Sequence, residues 1–211
     1  MEKFVRHSDL SSEEKLTGEA AFPLSFSNEI SAFLRETYSS ANQILEYGSG
    51  GSTLVAAQLG KRFVSVESDE EWANSLRKVL SQIDTLPSDA KVVWADIGAT
   101  KEWGYPIDNR KFQQFWSYPL APWQGSHDCD PDVVLVDGRF RKACFCTAIA
   151  MSRKPMTILF DDYRDRKSYH EVEKLVRPAK FVDRMAVFEV SPSMVTAKDL
   201  PLFAPWFVDL R

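Results

Sequence analysis

Six carboxylates stand at or just beyond the ends of apolar runs: Glu46, Glu67, Asp96, Asp137 and the adjacent Asp161 and Asp162. If those runs are parallel strands of one open sheet, their carboxyl ends share an edge, and that edge is strongly negative. Burying so many carboxylates without partners is costly, so a cation or a set of hydroxyl donors is expected among them. The glycine cluster Gly48-Ser49-Gly50-Gly51-Ser52-Thr53 follows the first acid. Glycine belongs where the backbone takes unusual dihedrals or where a ligand must approach the main chain. Glu67 comes about twenty residues after Glu46. At that spacing an acid reaches the two hydroxyls of a ribose whose nucleoside lies across the turn.

The elements that position these residues follow from the hydrophobic pattern. Residues 43–47 read as a first strand, and Leu54-Val55-Ala56-Ala57-Gln58-Leu59, closed by Gly60, as the helix after the turn. Residues 62–67 form the second strand. Ser68 and Glu71 have capping-box spacing and predict a helix to about residue 83, with Trp72 in its apolar face, in the core rather than in a cofactor wall. Lys91-Val92-Val93-Trp94-Ala95 is the third strand. The run 132–136 has the continuous apolar character of a buried parallel strand, and a helix over 142–152 follows it. Met156 to Phe160 is the fifth strand. Ser168 and Glu171 cap another helix, which Pro178 stops, and 181–190 is one long strand or a hairpin. At the other end, Ser27 caps a helix over 28–38 with Ile30, Phe33 and Leu34 on its apolar face, and Ser11 and Glu14 start a shorter one. The sum is an α/β fold in a single domain: a doubly wound, mostly parallel sheet with helices on both faces, preceded by a helical extension over 1–40. The apolar segment 201–211 docks on this body or on a partner chain.

Between the third and fourth strands the period is lost. Residues 97–131 carry Trp103, Tyr105, Phe112, Phe115, Trp116, Tyr118 and Trp123, with Pro106, Pro119 and Pro122. A connection of this length is uncommon and is often a lid or a binding loop. It lies at the ligand-binding edge, so it is expected to face substrate; the alternatives are a loop packed over the sheet or a homodimer contact. His127 and Asp128 near its end read as solvated loop residues.

Composition narrows the class. The net charge is −4, which gives no general attraction to nucleic acid or to an anionic membrane. No apolar run approaches a membrane span, and the first residues do not form a signal peptide, so a cytoplasmic protein is expected. The three cysteines, Cys129, Cys144 and Cys146, have no framework spacing and read as small buried hydrophobes.

The glycine turn departs from the dinucleotide fingerprint, because Thr53 stands at the third glycine position and Glu46 would repel a pyrophosphate. With Glu46-Tyr47-Gly48-Ser49-Gly50 as first motif and Glu67 as second, the chain from about 44 to 190 resembles the class I S-adenosylmethionine-dependent methyltransferases. The resemblance implies a Rossmann-like fold with an antiparallel strand near the C-terminus. It implies S-adenosylmethionine bound by Glu46, Gly48, Ser49, Gly50, Thr53, Glu67, Ser68, Asp96 and Asp137. Asp137, Asp161 and Asp162 further resemble the acids of metal-dependent catechol and sugar O-methyltransferases, which implies Mg2+ on those three and O-methylation of a small-molecule hydroxyl. Asp137, Arg139 and Asp161 are then the candidate catalytic residues. Arg139 stands where the sugar enzymes have another acid; it could replace the metal or, with Arg141, bind an acidic substrate group. His170 is a further candidate base. The Asn/Asp-Pro-Pro-aromatic motif of nucleic-acid amino-methyltransferases is absent, so no nucleic acid is expected as substrate. The competing readings are an NAD-dependent oxidoreductase and a non-catalytic protein of the same fold.

Overall fold

The computed structural model describes residues 21–125 and 129–210. The capping pair Ser11 and Glu14, and the loop residues His127 and Asp128, lie outside the described residues. The strands are β1 (Gln43–Tyr47), β2 (Arg62–Glu67), β3 (Lys91–Trp94), β4 (Val133–Val136), β5 (Met156–Phe160), β6 (Lys180–Val182) and β7 (Met185–Val190). They form one seven-stranded sheet in the order β3-β2-β1-β4-β5-β7-β6. The pairs among β1 to β5 are parallel, and β7 runs antiparallel to both of its neighbours. The order reverses at β1, which has β2 on one side and β4 on the other, and such a switch point opens a crevice beyond the strand ends.

Each face of the sheet collects alternate residues, as the two-residue strand period requires. Leu45, Tyr47, Val64, Val66, Val134, Val136, Ile158 and Phe160 belong to one core. Ile44, Phe63, Val133, Leu135 and Leu159 belong to the other. Three helices cover this second face: α1 (Asn28–Ser40), α2 (Gly51–Gln58) and α3 (Glu70–Leu80), through Leu34, Leu54 and Leu76 among others. On the first face lie α4 (Arg141–Met151), the 3-10 stretch Lys167–Lys174 and the C-terminal turns Leu200–Phe203 and Ala204–Val208. Alanines and the free, buried Cys144 and Cys146 let α4 lie close to the strands. The C-terminal segment docks on the body. Phe203 and Trp206 enter the core, and the buried Lys142 ammonium pairs with Asp209 at 2.9 Å and lies 5.3 Å from the Trp206 ring.

Three local expectations change. The cap of α3 is Asp69, whose side chain accepts from Trp72 N–H at 2.9 Å, and the helix stops at Leu80. Ser68 is held elsewhere, its hydroxyl lying 3.0 Å from the Gly104 carbonyl. The stretch after Ser168 winds as 3-10 helix with no side-chain cap; of the two alternatives for 181–190 the hairpin is the one found, turning at Asp183, φ +51°. Residues 97–125 are not a structureless loop. They contain a two-strand hairpin, Thr100–Lys101 with Tyr105–Pro106, and the helical turns Phe112–Gln114, Ser117–Leu120 and Ala121–Trp123. Phe115 and Tyr118 from these turns fill the first core, where a crossover helix would otherwise pack. Turns this short, interrupted by proline, leave no helical period to read.

The strand ends meet at two glycines. Gly48 has φ +101°, and a Cβ there would lie 2.8 Å from Gly138 N. A Cβ on Gly138 would lie 2.0 Å from the Tyr118 hydroxyl and 2.8 Å from Gly48 N. Gly138→Ala is therefore expected to cost about 3 kcal/mol in urea denaturation, since backbone must shift to admit the methyl. Gly60→Ala, where φ is +63° and the nearest neighbour of a Cβ is 4.0 Å away, should cost only about 1 kcal/mol. Equal costs would mean that the contact between the strand ends is slack.

Candidate active site

The glycine turn rests on a buried carboxylate. Glu46 is fully buried, on the α1–α2 side of β1. It accepts from the Tyr38 hydroxyl at 2.8 Å on one oxygen and from the Thr53 hydroxyl at 2.6 Å on the other. Thr53 in turn accepts from Gly50 N–H at 3.0 Å, so the carboxylate is wired to the turn itself. Ser65, a hydroxyl inside β2, lies 2.7 Å from the Ser49 hydroxyl and 3.2 Å from that of Thr53. Burial pushes the Glu46 pKa up, and the bonds from Thr53 and Tyr38 pull it back. Glu46 thus sits behind the turn. Trp72 braces the turn from the side, its indole N–H donating to Ser49 O at 2.8 Å.

In front of the turn stands Glu67, only 7% exposed. One oxygen accepts from Ser49 N–H at 3.2 Å; the other accepts from Ser68 N–H at 2.7 Å and Asp69 N–H at 2.9 Å. Burial raises its pKa, against the lowering by these N–H donors. The hairpin over 100–106 covers it: a Cβ on Gly104 would lie 3.4 Å from the Glu67 carboxylate and 2.4 Å from the Ser68 hydroxyl. Asp96 stands apart at the end of the edge strand β3. It pairs with Lys111 at 2.6 Å, which holds its pKa below the usual carboxylate range. It borders an open groove of about 390 Å³ lined by Trp94, Trp116 and Ser117.

On the other side of the turn, Asp137, Asp161 and Asp162 bring carboxylate oxygens within 4.8 Å of one another. Distance suits a cation; charge does not. Arg141 lies 3.1 Å from Asp137 and 3.5 Å from Asp162. Arg184 holds Asp161 at 2.8 Å and Asp162 at 3.2 Å, and Arg166 holds Asp162 at 2.7 Å. Three guanidinium groups already balance the three acids, so the expected Mg2+ does not fit this cluster as it is built. Asp161 is buried against Arg184, whereas Asp137 keeps about a third of its side chain, 32%, in solvent. Burial pushes the Asp137 pKa up to about 7; Arg141 opposes this, and Asp161 and Asp162 add to it.

Of the other candidates, Arg139 is buried with its guanidinium 3.8 Å above the Tyr105 ring. His170 stacks on Tyr163, with Nε2 3.0 Å from the Tyr163 carbonyl oxygen. Tyr163 and Lys167 have the Tyr-x-x-x-Lys spacing of some nicotinamide enzymes, yet Tyr163 is buried with its hydroxyl on Glu173 at 3.1 Å, and Lys167 is exposed. Sequence reasoning missed Tyr38, Ser65, Gly138 and Arg184. Ser65 alone carried a signal, since a hydroxyl inside an apolar strand needs a buried partner.

Fold and crevice define a doubly wound α/β protein whose switch point carries a nucleoside-type turn. The antiparallel β7 between β5 and β6 sets it apart from the all-parallel order of the dinucleotide folds. No protein-family model matches the chain, and no curated protein does. Among solved structures, a methyltransferase-like protein from Silicibacter pomeroyi DSS-3 is 38% identical. That alignment covers 89% of this chain and 98% of that one, with a TM-score of 0.82. The SAH-bound methyltransferase PaMTH1 of Podospora anserina is 15% identical over 92% of this chain and 72% of that one, TM-score 0.45. An rRNA methylase from Streptococcus thermophilus is 11% identical over 81% and 100%, TM-score 0.45. Likeness at that level says nothing about the acceptor used here. The chain belongs to the class I S-adenosylmethionine-dependent methyltransferases, a family of one-carbon transferases. No helix among the described residues is long and apolar enough to cross a membrane.

Two outcomes test the electrostatics. Glu46→Gln and Thr53→Val should each cost about 1–3 kcal/mol, and the double variant clearly less than their sum, because both remove the same buried bond. Additive costs would separate Glu46 from the turn. For Asp137 the folded pKa lies above the unfolded one, so the folded state holds the proton longer as pH rises. Wild type should therefore lose stability relative to Asp137→Asn between about pH 4 and 7 and level off above. Urea melts across that range read the sign, and a wild type that gains on the variant would mean Arg141 outweighs burial.

Proposed function

We propose that the protein transfers a methyl group from S-adenosylmethionine to a hydroxyl of a small molecule. The observation that supports this best is Asp137, a partly exposed carboxyl with its pKa raised to about 7, standing beside the Gly48–Gly138 contact at the switch point. Such a group is half-deprotonated near neutral pH and can take a proton from an acceptor hydroxyl. S-adenosylmethionine supplies an electrophilic methyl on a sulfonium. Glu67 is suited to accept from the ribose hydroxyls, which frees Ser49 N–H for the rest of the ligand. Gly48 lets the turn close on Gly138 and Gly50 leaves the backbone open to close approach, while Glu46 and Thr53 keep the turn in shape from behind. Ser68 and Asp96 flank the nucleoside. Because Gly104 covers Glu67, admission of the ribose requires the 100–106 hairpin to lift from Ser68.

As Asp137 takes the proton, the acceptor oxygen bonds to the methyl carbon and the carbon–sulfur bond breaks, an in-line exchange that depends mainly on alignment. Asp161 acts at one remove: its backbone carbonyl accepts from Arg141 at 2.8 Å, and Arg141 steadies Asp137. No step runs through a metal. The acidic net charge and the missing Asn/Asp-Pro-Pro-aromatic motif favour a small molecule over nucleic acid.

Calorimetry should give saturable binding of S-adenosylmethionine and none of NAD, with Glu67→Ala weakening the former at least about tenfold. With a panel of hydroxylated acceptors, turnover should rise through an apparent pKa near 7. Asp137→Asn should remove that limb and about a hundredfold of rate. Chelator should change nothing. Saturable heat with NAD alone would reverse the reading, and activity restored only by added magnesium would return the metal to Asp137.

A further inference from the structure

Two buried arginines follow the fourth strand two residues apart, and their surroundings differ. Arg141, 3% exposed, is saturated: its guanidinium donates to Gly138 O at 3.0 Å, Asp161 O at 2.8 Å and Asp137 O at 2.9 Å, and it pairs with Asp137 and Asp162. Arg139, 5% exposed, is not. Its Nε and Nη1 are buried without a hydrogen-bond partner among the described residues. The guanidinium lies on the Tyr105 ring, whose centroid is 3.8 Å from the guanidinium carbon. A ring engages the face of the cation and leaves the in-plane N–H groups free. Stacking offsets only part of the cost of holding an unpaired charge out of water, which is several kcal/mol per ion. Among the described residues, the acids of this rim are committed elsewhere: Asp137 to Arg141, and Glu67 to backbone N–H groups. Native structures seldom leave such donors idle; bound water or a polar ligand atom normally meets them.

The backbone of Arg139 fixes where those donors sit. Gly138, just before it, abuts Gly48 of the turn. The Tyr118 hydroxyl lies against Gly138 and donates to Val66 O at 3.3 Å, tying this segment to the end of β2. Tyr105 belongs to the hairpin whose Gly104 covers Glu67. The unpaired donors therefore belong to the same crevice as the glycine turn and the proposed ribose site.

Resting on the methyl-transfer reading, we propose that Arg139 is the carboxylate receptor of this crevice, its in-plane N–H groups taking a carboxylate of the bound ligand while Tyr105 holds the guanidinium flat. Two sources offer that chemistry, the amino-acid end of the methyl donor and an acidic acceptor. Planar, always charged and poorly hydrated, a guanidinium suits either, and a lysine would not replace it fully.

The test compares wild type with Arg139→Gln and Arg139→Lys, each checked by thermal melting. Loss of a buried unpaired charge predicts a midpoint for Arg139→Gln no lower than that of wild type. Three probes are titrated calorimetrically: S-adenosylhomocysteine, methylthioadenosine (which lacks the amino-acid end) and benzoate, the last with and without nucleoside. If the cofactor supplies the carboxylate, Arg139→Gln weakens S-adenosylhomocysteine at least about tenfold, leaves methylthioadenosine unchanged, and Arg139→Lys falls between. If the acceptor supplies it, both nucleosides bind all three proteins alike, and benzoate binds wild type but not Arg139→Gln. Equal binding of every probe to wild type and Arg139→Gln overturns the proposal, as does a loss of methylthioadenosine as large as that of S-adenosylhomocysteine. Should wild type bind neither nucleoside, the methyl-donor reading fails by itself, and the benzoate comparison still decides the role of Arg139.

Discussion

A carboxylate sealed inside a protein must find donors, and the demand of Glu46 for them organises this molecule. The α1 helix supplies the Tyr38 hydroxyl and the start of α2 supplies Thr53, whose oxygen then accepts from the turn at Gly50. One buried charge thereby joins strand, turn and two helices. A fully satisfied network of this kind is rigid, because each lost bond strands a partner in a low dielectric. Rigidity is what a glycine turn lacks on its own, since glycine loses more conformational freedom on ordering than any other residue. The same acid that keeps the turn in shape therefore stands behind the surface proposed to meet the methyl donor.

The opposite rim follows a different logic. Asp137, Asp161 and Asp162 face Arg141, Arg166 and Arg184, and their charges cancel. An ion-pair cluster whose centre, Asp161 and Arg141, is buried contributes little net stability, because desolvation consumes most of the attraction, but it holds its members in place and breaks badly if a buried one is removed. It leaves one carboxyl, Asp137, partly open to solvent with a raised pKa, and Arg139 with two buried N–H groups that find no hydrogen-bond partner among the described residues. Asp137 thus belongs to both the ion-pair cluster and the crevice, whereas Asp161 and Asp162 are held by arginines. That contrast, rather than the number of charges at the edge, separates the part of the rim built for structure from the part proposed to meet a ligand.

Aromatic residues of the insertion divide in the same way. Phe115 and Tyr118 are core, replacing a crossover helix with short turns. Tyr105 lies on Arg139, while Trp103, Phe112 and Trp116 remain exposed. The segment is thus both a layer of the fold and the cover of the crevice, and the hydroxyl of Ser68, which a helix cap would otherwise have used, latches it through Gly104.

What the sequence determined by itself is whatever depends on neighbours along the chain. Strands Gln43–Tyr47, Arg62–Glu67 and Met156–Phe160, the Ser27 cap, the glycine turn and the acids at strand ends were all legible, because period, capping chemistry and glycine's dihedral freedom act within a few residues. The cap of α3 was misread by one residue, since Ser68 and Asp69 both suit a cap and only a contact 36 residues away, at Gly104, decides between them. The pairing of Asp161 with Arg184, the closure of Gly48 on Gly138, the filling of the first core by Tyr118 and the isolation of Arg139 belong to tertiary structure alone. Each is a matter of which charges and volumes meet once the sheet has closed. A carboxylate looks the same in sequence whether it awaits a metal or already holds an arginine.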